Sequence, residues 1–365
     1  CPAPNERNFH IFYQLTEACS PTDRAKFGLG RACDYFYTMQ SNCMQVPGID
    51  DQADYEDMIQ AMKAIGMDDS EREALLQCVA AILHLGNVVF ESTGDKQCQV
   101  SNPQSLEWAA SLFGVDFERL TFVLTKRTLK IRGQGDTCVS LGEDQAFDAR
   151  DALSKFIYAA MFDWIVSRVN QSMSVGPGEA SKVTRSIGIL DIFGFEVFEV
   201  NSFEQLCINF TNERLQQFFN ANTFKLEEEL YAAEGIAFEH VSFVDNQPMV
   251  DLLTQKPLGI MNLLDEEVVI PQGSDTKFLH KIVENHSSNV NFKTGPKSQA
   301  DSFVIVHYAG PVVYDVTGFL EKNRDTLTPD ALQLLNTSGL PFIAQMFSNS
   351  DNMTAKDRKQ TLGKQ

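Results

Sequence analysis

The stretch Ser186-Ile-Gly-Ile-Leu-Asp-Ile-Phe-Gly-Phe-Glu196 constrains the fold more than any other. Its apolar residues run together instead of alternating or recurring every third or fourth position. Such a run predicts a short strand buried on both faces, in a mixed or parallel sheet covered by helices. A turn-rich connector over residues 174–184 leads into it. Beyond it, Asn201-x-x-Glu204 and Ser202-x-x-Gln205 are overlapping capping signatures for a long helix from about Ser202 to Leu230.

Helical periodicity dominates the first half. Ser70-x-x-Glu73 predicts the start of a helix carrying Leu75, Leu76, Val79, Ile82 and Leu83 and ending at Gly86. Tyr55, Met58, Ile59, Met62 and Ile65 form a second stripe that stops at Gly66, and Phe147, Leu153, Ile157, Met161 and Trp164 mark a helix from Glu143 to about Ser172. These stripes read as core, because burial of one helical face demands that spacing. Phe303–Tyr308 and Val312–Val316 flank Ala309-Gly310-Pro311 and predict a hairpin. The polar stretch 348–365 reads as an exposed surface loop. The fold class is therefore α/β, mixed and helix-rich.

Composition narrows the function classes. With 43% hydrophobic and 22% charged residues, the 365-residue chain has the balance of a globular protein of about two domains. A net charge of −19 disfavours nucleic acid and anionic membranes as partners, so an acidic partner must be met by local basic loops. No apolar run approaches the roughly 20 residues of a membrane helix. The 8 cysteines are scattered without a Cys-x-x-Cys pair, which argues for reduced thiols rather than zinc or a disulfide framework. The start, Cys1-Pro-Ala-Pro, has neither Met nor a signal-peptide layout and reads as a cut inside a longer protein.

Ligands of nucleotide-binding α/β folds sit outside the carboxyl ends of strands, where Asp191-Ile-Phe-Gly194-Phe-Glu196 would lie. An acidic residue there suits Mg2+, and a glycine lets a backbone N–H approach a phosphate closely. Asp-x-x-Gly alone fits a solvated turn equally well. The phosphate-cradling Gly-x-x-x-x-Gly-Lys-[Ser/Thr] is missing: Gly363-Lys364 is followed by Gln365, and Gly176-Pro-Gly-Glu-Ala-Ser-Lys182 has Ser in place of the second Gly. A base-reading Asn-Lys-x-Asp is missing too, which sets a small GTPase aside.

Longer segments decide the reading. Residues 186–230, together with Asn5-Glu-Arg-Asn-Phe-His-Ile-Phe-Tyr13, Ala81-Ile-Leu-His-Leu-Gly-Asn87, Ala149-Arg-Asp-Ala-Leu-Ser-Lys155, Pro257-Leu-Gly-Ile-Met-Asn-Leu-Leu-Asp-Glu266, His307-Tyr-Ala-Gly310 and Gly318-Phe-Leu-Glu-Lys-Asn-Arg-Asp325, resemble the myosin motor domain in order and over essentially the whole chain. The resemblance implies an internal piece of an actin-activated ATPase head, from after the first switch to the loop joining its upper and lower halves. The implied fold is part of a P-loop-NTPase-like head: some strands of the central sheet plus a helical, hairpin-containing actin-binding subdomain. The implied divisions are 1–185 (upper subdomain), 186–235 (second switch and relay helix), 236–347 (lower subdomain) and 348–365 (basic loop).

The resemblance also assigns roles. Gly194 would offer its amide to the γ-phosphate of ATP, Asp191 would support Mg2+ indirectly, and Glu196 would pair with an Arg of the first switch and help position the attacking water. Actin contacts would come from Lys126, Arg127, Lys130 and Arg132, and from Ile260, Met261, Leu263, Leu264, Val269, Ile270 and Pro271, for which core packing is the equal alternative. Lys293, Lys297, Lys356, Arg358 and Lys359 would add basic contacts. The remaining partners would be the rest of the head and light chains or calmodulin on a neck, in the cytoplasm on the actin cytoskeleton. Without the phosphate loop and first switch this chain alone is expected to be inactive; the alternative is a non-catalytic actin-binding module.

In this family the position sixteen residues before the Asp of Asp-Ala-Leu is usually acidic or phosphorylatable. Counting back from Asp151 lands on Gly135, with Asp136 beside it. A one-residue shift lets Asp136 supply a constant charge, so Asp136→Lys should lower actin-activated turnover of a complete head; unchanged turnover refutes this.

Overall fold

The structure is a computed structural model that describes residues 5–94, 96–131, 135–174, 185, 187–237, 245–270, 273–323 and 327–348. The chain divides into two compact units, Cys1–Thr184 with Asp325–Gln365, and Arg185–Arg324.

The first unit is helical. Its elements are α1 (His10–Ala18), α2 (Pro21–Lys26), α3 (Phe36–Met39), α4 (Asp51–Ala64), α5 (Asp69–Gly86), α6 (Pro103–Phe113), α7 (Phe117–Thr125) and α8 (Glu143–Met173), with antiparallel pairs β1 (Phe90–Gly94)–β2 (Gln97–Val100) and β3 (Lys126–Ile131)–β4 (Gly135–Ser140). α5 lies at its centre and buries Leu75, Cys78, Val79, Ile82, Leu83 and Leu85. The box that opens α5 sits two residues earlier than the sequence suggests. Asp68 Oδ1 accepts from Glu71 N at 2.8 Å, and Glu71 Oε2 accepts from Asp68 N at 3.1 Å. Glu73 is drawn instead into an ion pair with Lys26.

The carboxyl end of α5 is closed by Arg150 of α8, whose Nη1 donates to the Gly86 and Val88 carbonyls at 2.9 Å each. A cation here complements the negative end of the helix dipole, and the Phe36 and Phe147 rings flank the guanidinium. Gly86 is required at this end, because a Cβ would stand 2.5 Å from the Tyr37 ring. The cysteines of the described residues are unpaired, and burial pushes the Cys78 thiol up to about 12.

The second unit contains α9 (Phe203–Asn220), a π-turn at Ala221–Lys225, α10 (Leu226–Ala233), α11 (Gln247–Thr254), α12 (Ile260–Val269), α13 (Asp275–His286), the sheet β5 (Phe292–Thr294)–β6 (Ser302–His307)–β7 (Gly310–Asp315), and α14 (Phe319–Asn323). The predicted hairpin is present, tightened so that His307 pairs with Gly310 around Tyr308-Ala309. Pro311 is tolerated because β7 is an edge strand. β5 adds a third strand that the sequence pattern did not announce. Phe303, Tyr314, Phe278 and Phe319 are fully buried between sheet and helices.

Three expectations need correction. Residues 187–200 form no strand; Ile187 and Ile189 are 97% and 95% exposed. A strand needs backbone partners on its edges, and among the described residues none lies beside this run. No parallel central sheet is therefore seen among the described residues, only small antiparallel ones, together with a single parallel bridge from Asn201 to Tyr314 of β7. Finally, the lower subdomain does not extend to 347. Helices α15 (Pro329–Asn336) and α16 (Pro341–Ser348) bury Leu334, Leu335, Ile343 and Phe347 in the core of the first unit. Among the described residues no helix is long and apolar enough to cross a membrane.

His84 makes the first unit pH-sensitive. Its Nε2–H donates to the Phe27 carbonyl at 2.9 Å while its ring stacks on Trp108, and desolvation holds its pKa below the ordinary 6.5. The unfolded chain therefore binds the proton first, so stability falls as pH drops from about 6.5 through the depressed native pKa. His84→Gln should flatten that slope in urea titrations at pH 7 and pH 5.

Candidate functional site

The candidate switch residues lie on α9, and side-chain amides hold them there. The Asn209 amide is fully buried; its Oδ1 accepts from Glu196 N at 2.8 Å and its Nδ2 donates to Glu196 O at 2.8 Å. One turn on, Asn212 Nδ2 donates to Phe193 O at 3.0 Å. Gln205 Nε2 reaches Glu196 Oε2 at 3.3 Å, leaving the other carboxylate oxygen available. Gln205, Asn209 and Asn212 follow one another at spacings of four and three residues, so they share one face of α9 and meet the segment lying across it. Phe195 anchors the segment from below, edge-on to His307 with centroids 5.2 Å apart.

Asp191 and Gly194, by contrast, are open. Asp191 is exposed, and nothing lies within 4 Å of where a Cβ on Gly194 would stand. Room for a phosphate at Gly194 and an exposed carboxylate at Asp191 both suit the expected ligand. Among the described residues no cluster of three His, Cys, Asp or Glu side chains could hold a metal directly.

The start of α9 follows only one of the two expected caps. Ser202 N donates to Gln205 Oε1 at 3.0 Å, while Asn201 Oδ1 accepts from Phe198 N at 2.7 Å and its Nδ2 donates to Val313 O at 3.1 Å. Glu204 is taken by Lys322, whose Nζ lies 2.8 Å away. Beneath the switch runs a polar chain that motif spacing does not reveal: Asn209, Tyr314, His307, Glu213 and Asn246. The available signal is the pair Asn209 and Glu213, one turn apart on the face of α9 that also buries Leu206.

The expected actin-contact residues separate into two groups. Ile260, Leu263 and Leu264 are buried in the core of the second unit, so they are packing and not surface, and Met261 is partly buried against the same core. Val269, 77% exposed, and Ile270 form the apolar end of α12 facing solvent. Lys293 and Lys297 are exposed, as are Lys126 and Arg127 at the base of β3. Residues 126–131 and 135–140 pair as antiparallel strands in whose backbone register Lys130 stands opposite Asp136. Thr128 N fastens the pair to Asp330 Oδ2 at 2.9 Å. Arg132, Pro271, Lys356, Arg358 and Lys359 lie outside the described residues.

α12 and α13 are pinned by Lys281, whose Nζ lies 2.8 Å from the buried Glu267 carboxylate and whose pKa that hydrogen bond raises. Removing the cation strands a buried charge, so Lys281→Met should cost about 1–3 kcal/mol in urea unfolding. Adding Glu267→Gln should recover part of it; a neutral single variant would show the pair to be superficial.

Comparison with known proteins identifies the family. The family model for the myosin head (motor domain) matches residues 2–365. The chain is 43% identical over 363 residues to Myosin-1 of Arabidopsis thaliana, covering 99% of this chain and 30% of that protein. It is 42% identical to Myosin-VIIa of Drosophila melanogaster, covering 98% of this chain and 16% of that protein. It is 40% identical to the Myosin-I heavy chain of Dictyostelium discoideum, covering 100% of this chain and 16% of that protein. The chain thus spans less than a third of the length of these relatives, and it belongs to the myosin head (motor domain) family.

Proposed function

We propose that this chain is part of an actin-based motor head that hydrolyses ATP, with residues 191–196 as the second switch and α9 as the relay that carries its state. The observation that carries the reading is the double hydrogen bond between Asn209 and the Glu196 backbone. It couples any movement of the switch to the helix without passing through a flexible linker.

In this reading the Gly194 N–H donates to an oxygen of the γ-phosphate, in space that a side chain would fill. When bound, Mg2+ would supply charge neutralisation on the phosphates, and the Asp191 carboxylate would support it by accepting hydrogen bonds from water. Glu196, steadied on one oxygen by Gln205, pairs with an Arg from outside this chain and orients the water that attacks the γ-phosphorus as the bond to the bridging oxygen breaks. The gain comes from preorganised charge and placement rather than from covalent chemistry on the protein. The exposed Ile187, Ile189 and Leu190 support a role in which strands from a longer head cover this run. Actin is met by the Val269–Ile270 end of α12 and by Lys126, Arg127, Lys293 and Lys297. The rest of the head, a neck with light chains or calmodulin, and a cytoplasmic place on actin filaments belong to the same reading.

Co-sedimentation of this chain with actin filaments, with and without ATP, tests it. Binding that weakens between low and moderate salt and ignores ATP is the expected result, because the chain has no phosphate loop. Val269→Asp with Ile270→Asp should reduce the bound fraction at least about fivefold, the loss expected on burying a charge at an apolar contact. ATP-dependent release by this chain alone would overturn the assignment of nucleotide binding to parts outside it.

A further inference from the structure

We propose that His307 is a positioning residue for Glu196, fixing the direction of a buried hydrogen-bond chain through Tyr314 and Asn209 that holds the Glu196 backbone on α9. The link to hydrolysis rests on the motor reading above; the chain of hydrogen bonds does not.

The direction follows from counting protons. The Glu196 backbone N–H can only donate, so the atom of Asn209 facing it must be Oδ1. Both hydrogens of Asn209 Nδ2 are then committed, one to Glu196 O at 2.8 Å and the other to Tyr314 Oη at 2.9 Å. Tyr314 therefore accepts from Asn209 and must give its own proton elsewhere. The acceptor in reach is His307 Nε2 at 2.8 Å, which has to present a lone pair. The other ring nitrogen, Nδ1, stands 3.0 Å from Glu213 Oε2 and donates to it. Glu213 is satisfied as a carboxylate: Oε1 accepts from Asn246 Nδ2 at 2.8 Å, and Oε2 also accepts from Tyr308 N at 3.3 Å.

Every proton from Asn209 to Glu213 thus points the same way, and only the neutral ring protonated on Nδ1 permits it. A ring carrying hydrogen on Nε2 would face the Tyr314 hydroxyl with donor against donor, leaving the Tyr314 proton no acceptor. The side chains of Glu213 and His307 are both 0% exposed, so water is not at hand to repair a broken link. Burial also pushes the Tyr314 phenol well above its ordinary pKa, which keeps its proton in place. His307 and Tyr314 come from the paired strands β6 and β7, and Glu213 and Asn209 from successive turns of α9. The hairpin is therefore what aims the helix amide at the switch.

Hydrogen exchange of the Glu196 amide, followed by mass spectrometry in the intact head that carries this chain, tests the proposal. Tyr314→Phe keeps the packing and removes only the hydroxyl, while His307→Phe removes both ring nitrogens. Each should speed exchange at Glu196 about tenfold or more, the factor for losing one buried partner, while amides of α13 in the same unit keep their rates. Unchanged exchange at Glu196 in either variant, or a uniform rise across the whole unit, overturns the proposal. Exchange needs no nucleotide, so a head that hydrolyses no ATP would defeat the motor reading and leave this result standing. In a head that does hydrolyse ATP, Tyr314→Phe should lower kcat about tenfold with KM for ATP within about twofold. Faster exchange with unchanged kcat overturns the link to hydrolysis.

Discussion

Asn209 is the residue on which the second unit turns. One buried amide satisfies the N–H and C=O of Glu196 and a phenol behind it, which exhausts its hydrogen-bonding donors. A side-chain amide can do this because its two ends imitate a strand neighbour, donor beside acceptor, at a place where no strand is available. The backbone N–H and C=O of Glu196 are thereby paired as if in a sheet, although residues 187–200 form none. What holds the proposed switch is a helix side chain substituting for a β-partner, and in the proposed hydrogen-bond chain its orientation is set by polar groups of the hairpin.

The first unit solves a comparable problem with charge. The carbonyls at and just beyond the end of α5 would be orphaned, and Arg150 supplies the donors from α8 while its guanidinium lies among aromatic rings. Asp151, next in sequence, takes Arg150 Nε at 2.8 Å and the Tyr37 hydroxyl at 2.6 Å. The neighbours Arg150 and Asp151 inside α8 are thus the lock between α5, α8 and the short helix α3 that carries Tyr37. Burying this cation is sustainable because carbonyls, a carboxylate and ring faces all meet it.

Much of this is legible in periodicity. The helices over 51–64, 69–86 and 143–173 and the hairpin at 302–315 follow from apolar spacing and from Gly and Pro at their ends, because a face that repeats has to be buried. The box at Asp68 escapes a local reading because Ser70-x-x-Glu73 carries the same signature two residues later, and only the ion pair with Lys26 decides between them. The strand expected at 186–196 is absent over the described residues 187–196 because an apolar run states a need for partners without supplying them. At the candidate site, Asp191, Gly194 and Glu196 stand in one short motif, whereas His307, Glu213 and Tyr314 stand in none. Their roles depend on contacts between residues about a hundred positions apart, which a local pattern does not encode.

Charge then sets what kind of surface the proposed actin contact can be. With a net charge of −19, the chain as a whole repels an acidic filament at distances beyond the local basic groups. At physiological salt the Debye length is about 8 Å, so each exposed lysine acts only on its immediate surroundings. Lys126 and Arg127 in one unit, and Lys293 and Lys297 in the other, can therefore speed a local encounter without holding it. Lasting affinity has to come from surface that gains by leaving water. In the second unit the exposed Val269 and Ile270 provide such surface, on a helix whose other face buries Ile260, Leu263 and Leu264. The buried leucines matter to the contact only by keeping the end of α12 rigid, and Lys281 on Glu267 serves the same end from α13.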